Sequence, residues 1–407
     1  MNKKSLSKQI YDARWCYVFV LPCLILTGMF VIYPIGMSWY FSLLDWSGFT
    51  KEAKFIGLQN YYEAVNDEFF WDAFIRSFIF MFGTVPVKIV LGFIIAVFLN
   101  NQVLKLAPFF RTVIFMPVVT AIAIIGIVMT FVFSPFNGPA NKFLMSTNLT
   151  SAPIDFLGNP DTVLPTVMGV YVWKWLGITM MYWLAALQTV PQDVYDAAKI
   201  DGAEGYRLWI HIILPIVLPF AIVIILVEAV GALNVFPLIE TMTAGGPFFS
   251  SEVMEIYIFR TAFVTDSGTM PRLGYACAAG VFWGVAVLFI TVLQGIMDEE
   301  NPKNMSKYLN FIAEKNQVKY LIITIAFIIF SFFWIYPLLW VLSASFKTDF
   351  EIWGGLGLIP DRLVWENFER AWFGANMGRY FFNTLIITVV SVIIAVSYTH
   401  LTLPTNA

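Results

Sequence analysis

The sequence predicts an all-α polytopic membrane protein. Of its 407 residues, 59% are hydrophobic and only 13% are charged, whereas a soluble domain usually carries about 25% charged residues. Apolar runs of about 20 residues, the length of helix that crosses a bilayer, recur along the chain. Eight such runs are candidate spans, at residues 17–38, 74–99, 110–133, 164–187, 212–236, 273–297, 319–341 and 379–397.

The first apolar run is interpreted as a retained span rather than a cleaved signal peptide. Lys3, Lys4 and Lys8 precede it, but the run is too long for a signal peptide and has no small-residue cleavage site. With the N-terminus in the cytoplasm, the loops at 100–109 and 188–211 are also cytoplasmic. Lys and Arg are denser in the cytoplasmic loops of this topology, as the positive-inside rule requires. We therefore predict a multi-pass protein with a cytoplasmic N-terminus.

A charged, proline-containing stretch at 298–318 separates the first six spans from the last two. We interpret it as a cytoplasmic linker between two membrane units. The chain then divides into five segments: 1–73 (N-terminus, first span and outer loop), 74–297 (membrane core), 298–318 (linker), 319–396 (start of a second unit) and 397–407 (polar tail).

The polar insert at 191–215, between the fourth and fifth spans, is the most informative segment. Proline is tolerated in the first turn of a helix because the N–H that it lacks has no partner there, and this suits Pro191. Asp193 in that turn favours the positive end of the helix dipole. Residues 192–201 are therefore predicted to form a short helix. Gly202 can end it in the left-handed conformation, and a second helix can begin near residue 203.

Small residues leave one surface of this helix–turn–helix almost without side-chain bulk, namely Ala197, Ala198 and Gly202. Another protein could approach such a surface closely. An ordinary amphipathic loop is the alternative interpretation, and these features alone do not separate the two. The spacing is more specific, because it combines Asp196-Ala197-Ala198, Gly202, Ile212 and Leu214-Pro215.

This spaced pattern resembles the cytoplasmic coupling loop of permease subunits in binding-protein-dependent ABC importers, more narrowly the maltose, multiple-sugar and glycerol-phosphate group. The family usually has Glu at the first position, where this chain has the shorter carboxylate of Asp196. Other segments resemble the same family: Phe55–Tyr61, Phe110–Thr112, Met116-Pro117, Leu176-Gly177, Leu184–Gln188, Thr243–Pro247 and Arg272–Ala276. The resemblance covers about residues 15–297 and implies a six-helix type-1 permease unit.

Residues 319–396 resemble the opening of the partner permease in the same transporter class. The matching segments are Ile335–Pro337, Ser343–Lys347, Glu366–Phe368 and Phe382–Thr384. A complete partner would have about four more spans and a coupling loop of its own. We therefore expect a truncated second permease, either a natural fusion or an artefact of truncation. The tail at 397–407 resembles nothing in the family.

The resemblance implies a transmembrane permease subunit of an ATP-driven importer in a bacterial-type plasma membrane. Its solute would be a sugar or related polyol delivered by an extracellular binding protein. The other implied partners are a second permease subunit and a dimer of cytoplasmic ATP-binding subunits. The residues implied to couple ATP hydrolysis to transport are Asp196, Ala197, Ala198, Asp201, Gly202, Leu214 and Pro215. An ion-gradient-driven secondary transporter is the alternative, but the sequence lacks the paired, glycine- or proline-broken segments of such proteins.

Catalytic signatures are missing from the sequence. It contains no G-x-x-x-x-G-K-[ST] phosphate loop, so we expect ATP hydrolysis in a separate subunit and no cofactor in this chain. His211 and His400 are too far apart in sequence to suggest a metal site. Cys16, Cys23 and Cys277 show neither metal spacing nor a disulfide framework. A membrane-embedded enzyme would need clustered His, Asp or Glu at membrane depth. The net charge of −3 gives no reason to expect a nucleic-acid partner.

Lys88, Lys174 and Glu228 are ionisable residues inside predicted spans. A charge at the bilayer centre costs about 2.5–3.5 kcal/mol on insertion scales, so it normally faces a partner or a water-filled path. Glu228 and Asn234 could therefore line a pathway for a hydroxyl-rich solute. An interhelical pair, or a side chain that snorkels to the interface, is the alternative. The sequence does not identify the solute.

Overall fold

The structure is a computed structural model that describes residues 14–100, 104–136, 138–203, 205–263, 270–298, 317–354 and 357–402. Strand β1 (Leu44–Asp45) pairs antiparallel with β2 (Lys54–Phe55). Short π-helical segments occur at Gly28–Ile32, Leu208–Ile213 and Arg370–Gly374. The α-helices are α1 (Arg14–Thr27), α2 (Tyr33–Phe41), α3 (Gln59–Asn66), α4 (Glu68–Leu99), α5 (Ala107–Val119), α6 (Ile122–Val132), α7 (Pro139–Ser146), α8 (Pro160–Gln188), α9 (Gln192–Ile200), α10 (Leu214–Ala232), α11 (Phe236–Met242), α12 (Met254–Phe263), α13 (Leu273–Asp298), α14 (Gln317–Ala344), α15 (Asp349–Gly354), α16 (Glu366–Glu369) and α17 (Met377–Thr402).

Six helical segments in the described ranges are long and apolar enough to cross a membrane. They are Val20–Phe41, Glu68–Leu99, Pro160–Gln188, Leu208–Ala232, Leu273–Val292 and Leu321–Ala344. Two further pairs of helices qualify only if each bent pair is counted as one span. The first pair is α5 with α6, bent by 96°, and the second is Glu366–Gly374 with Met377–Ile393, bent by 69°. The predicted total of eight spans therefore requires both bent pairs to be counted.

The third predicted span, residues 110–133, is broken between α5 and α6. Pro117 lies in the last turn of α5 and has no N–H to donate. Thr120 and Ala121 then adopt extended backbone, with ψ of 138° and 130°. The end of α5 leaves carbonyl groups without partners inside the helix. Such groups must find other donors within a membrane, and Lys174 is the donor here.

Two apolar clusters form the core, one toward each end of the bundle. The first is built from α4, α6, α8 and α10 to α13, and includes Phe70, Phe80, Tyr171, Leu238, Tyr257 and Trp283. The second is built from α4, α5, α8, α9, α10 and α14, and includes Leu99, Phe110, Trp183, Val194, Ile213 and Phe327. Helices α4 and α8 are packed together along much of their length, and the Trp183 indole N–H donates to the Ile89 carbonyl at 3.1 Å.

Asp67 fixes the start of α4 and ties it to α12 and α13. Its carboxylate accepts hydrogen bonds from the Phe69 N–H at 2.9 Å, the Tyr257 hydroxyl at 2.5 Å and the Tyr275 hydroxyl at 2.8 Å. Burial alone would raise the pKa of Asp67, but these hydrogen bonds stabilise the charged form and hold the pKa below its ordinary value. The charged Asp67 therefore anchors the end of the helix bundle that lies opposite residues 189–207.

Helix α14, which begins the segment predicted to open a second unit, packs against the preceding six-span unit. The Trp334 indole N–H donates to the Ile114 carbonyl at 3.2 Å. The Trp334 carbonyl in turn accepts from the Trp173 indole at 3.0 Å. The rings of Phe327 and Phe110 lie 5.3 Å apart between centroids. Helix α14 is therefore held by both polar and aromatic contacts.

Some predictions concern residues outside the described ranges. The linker at 298–318 lies almost entirely there, as do Lys3, Lys4, Lys8 and the last five residues of the tail. Within the described part of the tail, α17 continues to Thr402. The helix therefore does not end near residue 397, where the eighth predicted span stops.

Gly177 permits the close approach of α8 and α5. A Cβ atom built at this position would lie 2.5 Å from the Ile114 carbonyl oxygen and 2.8 Å from the Phe115 Cα, so backbone would have to shift. We expect Gly177→Ala to lower the free energy of unfolding by about 1–3 kcal/mol, seen as a lower Tm of the detergent-solubilised protein. Gly169→Ala is the control, since nothing lies within 4 Å of that added carbon on the same helix. Equal Tm values for the two variants would contradict this packing argument.

Candidate docking loop and intramembrane polar site

The polar insert that follows α8 and runs into the first turn of α10, which we call the docking loop (residues 189–215), has the predicted short first helix. Helix α9 ends at Ile200, within one residue of the predicted end. Gly202 has a φ of +71°, the left-handed conformation predicted for it. The Ala203 N–H donates to the Ala198 carbonyl at 2.7 Å. This is a Schellman-type helix end, and its left-handed position favours glycine because any Cβ is strained there.

The second helix of the docking loop is continuous with the fifth predicted span. Helical backbone begins at Tyr206, about three residues later than predicted, and passes through the π-helical turns at Leu208–Ile213 into α10. Leu214 is half-buried against the second apolar cluster, and Pro215 is exposed in the first turn of α10. From Tyr206 onward, the second half of the docking loop is therefore helical and runs directly into α10.

Helix α9 packs one face on the second apolar cluster. Val194 and Ala198, one helical turn apart, are both buried in that face. The Tyr195 ring lies 6.1 Å from the Trp209 ring between centroids, and burial raises the pKa of Tyr195 to about 12. The expectation that Ala197, Ala198 and Gly202 share one open surface is therefore wrong for Ala198. An amphipathic helix must bury one stripe, and Ala198 belongs to that stripe.

The outward surface of the docking loop is formed by Ala197, Ile200, Asp201 and Gly202, all exposed. A Cβ atom added at Gly202 would meet nothing within 4 Å, so the space outside this residue is open. The sequence analysis did not include Ile200 in this surface. In the structure its side chain is 88% exposed. The signal was a large apolar residue at the end of a helix that is otherwise polar on its outer face. Asp196 is half-buried beside this surface.

A buried ion pair joins Lys88 of α4 to Glu228 of α10. Lys88 is 0% exposed and Glu228 is 6% exposed. The other carboxylate oxygen of Glu228 accepts a hydrogen bond from the Thr179 hydroxyl of α8 at 2.6 Å. The Lys88 ammonium also lies 4.5 Å from the centroid of the Tyr171 ring. The structure therefore shows the interhelical ion pair that the sequence analysis gave as the alternative for Glu228. Each of its carboxylate oxygens has a partner, Lys88 for one and Thr179 for the other.

Asn234 does not join this ion pair. Asn234 lies just beyond the end of α10 and is exposed, and its side-chain N–H donates to the Val230 carbonyl of α10 at 2.8 Å. A pathway role for Glu228 and Asn234 stays a prediction. For Glu228, direct contact with a solute would require the ion pair to open.

Lys174 of α8 satisfies the backbone at the break in the third predicted span. Its ammonium donates to the carbonyls of Pro117, Val118 and Thr120, at 3.0, 3.2 and 2.7 Å. A positive charge near the C-terminal end of α5 also interacts favourably with the negative end of the helix dipole. The ring centroid of Trp175 lies 4.6 Å from the same ammonium. Lys174 therefore has a structural partner, and α8 is tied to the break.

Comparison with known proteins adds evidence that is independent of this geometry. Residues 62–300 match the family model described as "Binding-protein-dependent transport system inner membrane component". The chain is 32% identical over 282 residues to "Probable ABC transporter permease protein YurN" of Bacillus subtilis, a match that covers 69% of this chain and 93% of that protein. It is 31% identical over 294 residues to "Lactose transport system permease protein LacF" of Rhizobium radiobacter, covering 72% and 95% of the two chains. It is 28% identical over 290 residues to "sn-glycerol-3-phosphate transport system permease protein UgpA" of Pectobacterium atrosepticum, covering 71% and 95%.

Two solved structures share the fold. One is a bacterial ABC transporter involved in the import of the acidic polysaccharide alginate; a chain of it aligns with a TM-score of 0.62 at 24% identity. The other is a bacterial alginate ABC transporter in complex with an alginate pentasaccharide-bound periplasmic protein, with a TM-score of 0.62 at 22% identity. Each match covers 74% of this chain and 100% of the solved one.

Proposed function

The chain belongs to the family of inner membrane components of binding-protein-dependent transport systems, and we propose from this that it forms part of the path for a sugar or related polyol in an ATP-driven importer. A second permease subunit completes the path. Two ATP-binding subunits in the cytoplasm supply the energy, and an extracellular binding protein delivers the solute. The chain itself is a non-catalytic membrane subunit of the cell membrane.

The exposed surface of the docking loop is the observation that best supports coupling to an ATP-binding subunit. Its outward surface offers the exposed small residues Ala197 and Gly202 beside Ile200, on a helix that is anchored by its buried face. A shallow surface of this kind lets a cleft on an ATP-binding subunit approach the backbone closely. The loop joins α8 directly to α10, so its displacement moves two membrane helices. ATP binding then switches the path between its outward- and inward-facing states by way of Asp196 to Gly202.

Spans two to six supply this chain's half of the path. Asn234, exposed at the end of α10, is proposed to face the solute directly. Glu228 lies six residues earlier, within α10, and is proposed to border the path with its ion pair to Lys88 intact. A hydroxyl-rich solute suits such groups because amide and carboxylate oxygens accept hydrogen bonds from hydroxyls.

The solute class is inferred from the relatives. LacF is named for lactose, UgpA for sn-glycerol 3-phosphate, and the two solved transporters for alginate. Each of these solutes carries free hydroxyl groups, which supports a sugar or related polyol. We further propose that the N-terminus is cytoplasmic, that residues 74–297 form the permease core, and that residues 319–396 correspond to the opening of a second permease.

Uptake by vesicles tests the proposed function. The chain would be reconstituted with its partner permease, ATP-binding subunits and binding protein, and offered labelled lactose, maltose and sn-glycerol 3-phosphate separately. We expect uptake of at least one of them to require ATP inside the compartment that holds the ATP-binding subunits. It should persist when a protonophore collapses the proton gradient. Uptake that follows an ion gradient and ignores ATP would instead establish a secondary transporter.

A further inference from the structure

The polar group formed by Lys88, Thr179 and Glu228, here called the polar seam, lies between the two apolar clusters of the core. On α4 it is flanked by Val85 of the first cluster and Ile95 of the second. Replacing a buried ion pair by apolar residues is often neutral or stabilising, so stability alone does not account for such a pair. Ionisable groups at membrane depth are costly and usually functional.

The polar seam connects the two helices on either side of the docking loop. Helix α8 leads into the loop and carries Thr179, nine residues or about 14 Å of helix before its end. Helix α10 leaves the loop and carries Glu228. The Thr179 hydroxyl and the Glu228 carboxylate therefore close a ring that runs from α8 through the docking loop to α10 and back. Lys88 fastens α4 to the same point.

We propose that Lys88 and Glu228 are positioning residues that make α4, α8, α10 and the docking loop move as one rigid lever. This inference rests on the proposed function. Lys88 and Glu228 would transmit a displacement of the docking loop to the membrane helices that form the solute path. Lys174 extends the lever to the break at the end of α5, because it lies on α8 and holds three carbonyls there.

Directional contacts suit this task because the hydrophobic effect contributes little between helices inside a bilayer, which leaves close packing and hydrogen bonds to hold their register. Lipid tails are as apolar as the side chains, so no hydrophobic force holds one helix against another. A slide of α10 along α8 by one residue, about 1.5 Å, would separate Glu228 from both donors with no water to replace them. The polar seam therefore resists sliding of α10 along α8. Without it, such sliding would keep a displacement of the docking loop from reaching the membrane helices.

The distance between α4 and α10 tests this proposal. Spin labels at Ile94→Cys on α4 and Leu218→Cys on α10, both exposed positions, would be introduced after replacement of the native cysteines. The full transporter, with its ATP-binding subunits, is measured by electron paramagnetic resonance without nucleotide and with a non-hydrolysable ATP analogue. With the polar seam intact, we expect one narrow distance that changes by less than about 1.5 Å between the two conditions.

Two variants of the polar seam give opposite expectations. Lys88→Met with Glu228→Leu removes both charges without leaving one unpaired, and should broaden the distance or shift it by more than about 1.5 Å. The exchanged pair, Lys88→Glu with Glu228→Lys, should restore a narrow distance. Thr179→Val keeps the side-chain shape, and should give an intermediate broadening even if the double variant does not fold.

A surface ion pair is the matched control. Arg272 donates two hydrogen bonds to the Glu63 carboxylate, at 2.6 and 2.7 Å, and both side chains are about half exposed. Replacing these two residues by Met and Gln should leave the α4–α10 distance unchanged. The proposal is overturned if Thr179→Val and the double variant match the intact seam, or if the distance with the seam intact itself shifts with nucleotide. Failure of the proposed function would be a separate result, in which no ATP-binding subunit co-purifies with the native chain.

Discussion

Replacing Gly202 by aspartate is expected to abolish uptake while the protein still inserts into the membrane. Gly202 is exposed in the left-handed conformation, and the space outside it is open. An aspartate side chain would place bulk and an unpaired charge in the contact with the ATP-binding subunit. Burial of an unpaired charge costs about 3–5 kcal/mol, which corresponds to a loss of about 100-fold or more in affinity. Co-purification of the ATP-binding subunit and vesicle uptake measure the two consequences.

Gly205→Asp is the matched control for that substitution. Gly205 also has a positive φ, +60°, and also has nothing within 4 Å of an added Cβ. The two variants therefore share a positive φ and the same added charge. Gly202 directly follows Ile200 and Asp201 of the proposed contact surface, whereas Gly205 lies three residues further along the docking loop. We expect Gly205→Asp to retain most of the uptake. Normal uptake by Gly202→Asp would remove the docking claim, and equal loss in both variants would assign the effect to strain.

Lys174→Met is expected to destabilise the protein more than Gly177→Ala does. Lys174 donates to three carbonyls at the end of α5, and no water replaces it within the membrane. The Pro117 carbonyl also accepts from the Thr120 N–H at 3.3 Å, so Lys174→Met is expected to leave two carbonyls, those of Val118 and Thr120, without a donor. An acceptor left without a donor costs about 1–3 kcal/mol, so the free energy of unfolding should fall by about 2 kcal/mol or more. Denaturant unfolding of the detergent-solubilised protein measures this change.

Lys174→Arg separates the hydrogen bonds from the packing of the side chain. A guanidinium keeps the charge and several N–H donors, so we expect it to recover more than half of the stability lost in Lys174→Met. Equal stability of Lys174→Met and the native protein would show that the carbonyls at the break find other donors. The break itself would then not depend on α8.

The docking loop was predictable from sequence because its signals are local. A polar insert between apolar runs must leave the bilayer, Pro191 and Asp193 favour the start of a helix, and Gly202 favours its end. The inward position of Ala198 was missed although its signal was present. Val194 and Ala198 are four residues apart, the spacing of a buried helical stripe.

The break in the third span and the pairing of Lys88 with Glu228 could not be predicted in the same way. Hydropathy measures composition over a window, and the apolar run from 110 to 133 is continuous even though its backbone bends. Pro117 was the local signal of the bend. Lys88 and Glu228 are 140 residues apart in sequence. Their contact depends on how α4 and α10 pack, which a single sequence does not specify.

Cross-linking from the docking loop tests whether this loop contacts an ATP-binding subunit in the cytoplasm. Ala197→Cys places a thiol on the outward surface, next to Gly202 but without disturbing it, in a chain whose native cysteines have been replaced. In membranes that contain the whole transporter, we expect a cross-link between this thiol and an ATP-binding subunit, and no labelling by an impermeant maleimide added outside the cell. Labelling from outside, or a thiol that is accessible from the cytoplasm yet never cross-links to an ATP-binding subunit, would contradict this expectation.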